Sequence, residues 1–72
     1  MTFNQAQKGP VLQINKIDAP LKFRQKLESM GLIRGQQLRI IGDSVSGRVA
    51  IVKNVRLAIG RDLGAQIEVS RA

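Results

Sequence analysis

Leu12 and Ile14 alternate with Gln13 and Asn15, and a two-residue period of this kind marks a strand with one buried face. The period recurs along the chain. Leu38 and Ile40 alternate with Gln37 and Arg39, Val55, Leu57 and Ile59 with Arg56 and Ala58, and Ala65, Ile67 and Val69 with Gln66, Glu68 and Ser70. Between them, Arg48 to Val52 is β-branched enough to return as a hairpin partner. The pattern therefore predicts strands over Val11 to Ile17, Gln36 to Ile41, Arg48 to Val52, Val55 to Ile59 and Ala65 to Val69.

One segment follows a different period. In Leu21 to Met30 the residues Phe23, Leu27 and Met30 stand at i, i+4 and i+7, the spacing of one apolar helix stripe. That stripe is expected to be buried, with Lys22, Arg24, Lys26 and Glu28 mostly on the remaining surface. Asp18-Ala19-Pro20 reads as the start of this helix, with Asp18 as the cap, and Gly31 as its end. Turns are expected at Leu32 to Gly35, Gly42 to Gly47, Lys53-Asn54 and Gly60 to Gly64.

About five short strands with one short helix after the first make a mainly β chain and a small β-barrel. Residues 1–10 are polar and read as an N-terminal segment, with residues 11–72 as the barrel; Phe3 then belongs to the segment and not to a strand. At 72 residues the chain is one small domain, and 43% hydrophobic residues spread along it suit a folded chain, not a basic tail. No apolar run reaches the roughly 20 residues of a membrane span and the opening lacks a signal-peptide core, so a cytoplasmic protein is expected.

The residue types that are missing narrow the chemistry. The chain has neither Cys nor His, which removes thiolate staples, the commonest general base and the commonest transition-metal ligands. Asp18, Glu28, Asp43, Asp62 and Glu68 are the only side-chain carboxylates, and they form neither close pairs nor a calcium-loop spacing. Gly60-Arg61-Asp62-Leu63-Gly64 lacks the Gly-Lys-Ser/Thr ending of a phosphate loop, and no serine has a His to activate it. We expect no enzyme, no metal site and no cofactor.

What remains is charge. Twelve Lys and Arg against five Asp and Glu give +7, which favours an anionic partner: nucleic acid, an acidic lipid surface or an acidic protein face. A small basic β-barrel binding RNA or single-stranded DNA is the alternative reading. It lacks Tyr and Trp, and Phe23 is assigned to the buried stripe, so no base-stacking platform can be assembled from the strands.

The segment Arg24-Gln25-Lys26-Leu27, Met30-Gly31-Leu32-Ile33-Arg34-Gly35-Gln36-Gln37-Leu38 resembles the RxxL and xGLxxGxxL helix-to-strand hallmark of the FeoA family, ferrous iron transport protein A. Val55 to Ile59 and Ala65 to Val69 are similar to that family's last two strands, so the likeness runs from about Val11 to Val69. The resemblance implies an SH3-like barrel, a non-enzymatic role in ferrous iron uptake, and a FeoB-type membrane transporter, through its cytoplasmic part, as partner. It carries over no catalytic residue. The helix and the turn after it are the expected contact region, with Lys22, Arg24, Lys26 and Arg34 as steering and rim charges and Leu32 or Ile33 as an apolar anchor. The same charge suits a peripheral contact with the acidic inner face of the membrane.

Overall fold

The computed structural model describes residues 1–72. Its elements run β1 (Leu12–Ile17), α1 (Leu21–Ser29), β2 (Gln37–Asp43), β3 (Gly47–Val52), β4 (Val55–Gly60), α2 (Arg61–Gly64) and β5 (Ile67–Arg71). All strand pairings are antiparallel in one sheet of order β4-β3-β2-β1-β5. This is the expected mainly β, small SH3-like barrel, although the sheet curls without closing. Register shifts between Ile14 and Lys16 in β1 and between Ile40 and Gly42 in β2 bend two of the three interior strands, which lets five short strands wrap one core.

The turns follow the backbone chemistry of their residues. Lys53 and Asn54 both have positive φ, 51° and 65°, the geometry of a two-residue hairpin turn that matches the twist of β3 and β4. At the end of α1, Gly31 takes φ 88° while its N–H donates to Glu28 O and the N–H of Leu32 donates to Leu27 O. Those two bonds satisfy the last carbonyls of the helix, and Leu27 and Leu32 are both buried beneath them. Gly35, at φ 90°, occupies the third position of a turn closed by Gln36 N–H on Ile33 O.

The core holds Leu12, Ile14, Ile17, Leu38, Ile40, Ala50, Val52, Ile59, Ile67 and Val69 from the strands, together with Leu27 and Leu32. It also holds Phe3 and Ala6. The opening residues lie along the outer edge of β5, where Phe3 N–H donates to Ile67 O and Val69 N–H to Met1 O, both at 2.8 Å. Phe3 is fully buried, and its segment lies so close to α2 that a Cβ at Gly64 would collide with Asn4 and crowd the Phe3 ring.

One side chain ties this segment down. Arg48 Nη1 donates to the carbonyls of Phe3, Asn4 and Ala6 at 3.0, 3.1 and 2.6 Å, while its Nε donates to Asp43 Oδ1 at 2.9 Å. Lys8 reaches the other oxygen of Asp43 at 2.9 Å, and Arg39 Nε donates to Gly9 O. The two cations on Asp43, Lys8 first and Arg48 second, hold its carboxyl below the ordinary value.

Two local expectations are corrected here. Asp18 does not cap α1: the capping position is Pro20, no side chain caps it, and Asp18 uses its N–H to pair with Gln66 O. The Phe23–Leu27–Met30 stripe is not a buried face either. Only Leu27 is buried, while Phe23 is 44% exposed and Met30 lies at the surface, because a helix placed at the rim of so small a core can insert one residue and no more.

Candidate partner-docking face

A groove of about 600 Å³ lies between helix α1 and the C-terminal half of β1. Asn15, Lys16 and Ile17 from β1 form one wall and Leu21, Arg24 and Glu28 from α1 the other, with Ile33 and Arg34 of the following turn at one end. The geometry follows from the Gly31 and Gly35 turns. Between them the chain reverses tightly enough to bury Leu32 and to turn the next two side chains outward.

Leu21 and Ile33 are exposed apolar side chains, and they share the groove with three cations and one carboxylate. No ion pair involves any of these charges; the pairs in the molecule are made by Asp43 and by Glu68. Lys16, Arg24 and Arg34 therefore face solvent with their charge unspent. An apolar floor beside unpaired cations is suited to a segment that brings both apolar and acidic groups.

The expected site residues divide into three groups. Arg24, Ile33 and Arg34 line the groove together. Lys22 and Lys26 are exposed on α1 but do not line it; Lys22 Nζ instead sits 6.0 Å from the centroid of the Phe23 ring. Leu32 is corrected outright: it is fully buried as the hydrophobic partner of the helix terminus, and of the two expected apolar residues only Ile33 is exposed. Leu21 and Lys16 were missed. An apolar residue off the helix stripe was the available signal for Leu21; Lys16 enters only because tertiary structure sets β1 beside α1.

No group of three His, Cys, Asp or Glu side chains gathers anywhere in the fold. No helix is long and apolar enough to cross a membrane. Phe23 is exposed, contrary to its assignment, yet it is a lone ring beside a lysine and not a row of rings for successive bases.

The FeoA domain model matches residues 1–71. The chain belongs to the FeoA family. A relative in Methanocaldococcus jannaschii, named "Putative Fe(2+) transport protein A", is 34% identical over 67 residues, covering 93% of this chain and 82% of that protein. The crystal structure of an iron uptake regulatory protein, FeoA, superposes with a TM-score of 0.89 at 27% identity, over 100% of this chain and 97% of the other. The solution structure of iron(II) transport protein A from Clostridium thermocellum has a TM-score of 0.91 at 19% identity. This FeoA chain is covered over 99% of its length there but spans only 45% of the Clostridium thermocellum chain. The FeoA match begins at residue 1, so it takes in the opening segment that packs Phe3 into the core.

Proposed function

We propose that this FeoA-family chain is a non-enzymatic accessory of ferrous iron uptake that works in the cytoplasm, by binding the cytoplasmic part of a FeoB-type transporter. The groove between β1 and α1 carries this reading: it sets the exposed Leu21 and Ile33 among the unpaired cations Lys16, Arg24 and Arg34. A partner segment with an apolar side chain flanked by carboxylates would fill it, with the apolar group supplying affinity and the charges orientation and rate. The family and its iron-transport relative supply the biological setting.

Co-purification with the transporter tests it. The Arg24→Glu/Arg34→Glu variant reverses the groove, whereas Lys22→Glu/Lys26→Glu reverses the helix surface outside it. The groove variant should lose the transporter and ferrous iron uptake while the other retains most of both. Equal capture by the wild type and the groove variant would remove the groove from the interaction. Wild-type protein that captures no transporter and instead pulls down RNA in a salt-sensitive way would overturn the function itself.

A further inference from the structure

The two edges of the sheet differ. The edge of β5 is covered by the chain's own opening residues, through the Thr2–Glu68 bridge and the backbone bonds of Met1 and Phe3. β4, at the other end of the strand order, has β3 as its only neighbour. We infer that the free edge of β4 accepts an extended acidic segment of a partner protein as an added antiparallel or parallel strand.

The hairpin turn determines which groups are free. A two-residue turn at Lys53-Asn54 makes Val52 and Val55 a hydrogen-bonded pair, and alternation then directs the backbone of Leu57 and Ile59 toward Ala50 and Arg48 of β3. The N–H and C=O groups of Arg56 and Ala58 point the other way, off the sheet. None of the backbone bonds outside the regular elements uses them. An extended backbone is the complement of such a row.

Side chains select the added strand. On the core-facing side, Val55 is 55% exposed and Leu57 only half-buried, so apolar surface there lacks cover. On the outer side, register pairs Ile51 of β3 with Arg56 of β4, which places the Arg56 guanidinium at the edge beside an apolar neighbour. Lys53 and Arg61 flank β4 at its ends, and β4 carries no acid. The matching segment alternates apolar with acidic residues. A second copy of this chain fits poorly: it would bring Arg56 and the rest of a +7 surface against its own kind, and a cation on an edge strand is a common guard against self-pairing.

This surface is separate from the β1–α1 groove, so the proposal holds or fails independently of the transporter reading. Its test uses two end-blocked heptapeptides, one alternating Glu with Val and the other Lys with Val, and follows amide hydrogen exchange by NMR. The Glu peptide should slow exchange at Arg56 and Ala58 by about tenfold or more at saturation, leaving Leu57 and Ile59 as protected as before. The Lys peptide should not. Ala58→Pro removes an outward N–H without touching the ladder to β3 and should abolish the protection. Arg56→Glu, which does not depend on Pro being accommodated, should reverse the preference toward the Lys peptide. Equal protection by both peptides, protection confined to α1, or none at millimolar peptide would overturn the proposal. Protection that rises with protein concentration alone would also overturn it, by identifying a second copy as the occupant.

Discussion

Helix α1 and the opening segment exchange the roles that their patterns suggest. The helix has a regular apolar stripe and its own hydrogen bonds, yet it contributes a single buried side chain, Leu27. The opening segment has no periodicity, but it supplies Phe3 and Ala6 to the core, covers the edge of β5 and receives donors from Arg48 and Arg39. Regular secondary structure and structural importance are thus different properties. The helix is free to present side chains to a partner because the core is completed by a segment without regular structure.

The two phenylalanines give the sharpest way to break that comparison. Phe3→Ala should cost about 3–5 kcal/mol, the usual range for emptying a fully buried aromatic position. That is about the whole stability a core of this size supplies, so the variant should be largely unfolded at room temperature. Phe23→Ala should cost less than about 1 kcal/mol, since much of that ring is already in water. Urea denaturation of both measures it, and comparable losses would show that α1 is as much a part of the core as the segment.

Arg48 comes next. Arg48→Lys keeps the charge but cannot serve three carbonyls and a carboxylate from one planar fork. A loss of about 2–3 kcal/mol is expected, because partly buried carbonyls would be left without donors. Loss of protection should begin in the opening segment, and hydrogen exchange at Phe3 and Val69 would register it. A lysine variant as stable as wild type would mean that the segment holds without its clamp.

The turns that set α1 at the rim should cost less. Gly31→Val and Gly35→Val force a β-branched residue to φ near 90° and should each cost about 1 kcal/mol or more. Thermal melts decide this. An unchanged melt in both variants would show that the chain relaxes out of these turns, and the groove they build would then have to be reassigned.

The difference between the two regions also explains what was legible in the sequence. Strands alternate because each has one wet and one dry face, so β1 to β5 and the β3–β4 hairpin turn could be read locally, as could the positive φ at Gly31 and Gly35; the connection expected as a turn at Gly60 to Gly64 instead holds the short helix α2. Phe3 could not, since its burial depends on Ile67 and on Arg48, far away along the chain. Asp18 had the chemistry of a cap, but β1–β5 pairing draws its backbone to Gln66 before the helix begins. The stripe of α1 was read correctly as a helix and wrongly as a buried face, because periodicity reports a shared side without reporting how much core lies opposite. For the groove, Arg24 is legible as a basic residue of the helix and Ile33 and Arg34 as residues of the turn after it, while Lys16 needed the fold.

Asp43 offers the smallest effect and a check on how the segment is fastened. Its carboxylate joins Lys8 of the segment to Arg48 of β3, and those two cations lower its pKa in the folded state. A depressed folded pKa means that the unfolded chain binds the proton more readily. The associated stability is present above the ordinary aspartate value of about 3.9 and is lost as pH falls through the lower folded value. Asp43→Asn removes the charge at every pH, so its melting temperature should lie slightly below wild type at neutral pH, with the gap closing as the solution is acidified below that value. The site is exposed and screened, so the gap should also shrink in high salt. Paired melts across this acid range measure it. A gap that persists unchanged at the lowest pH would assign the role of Asp43 to its shape and hydrogen bonds, leaving Arg48 and its three carbonyls as the fastening of the segment.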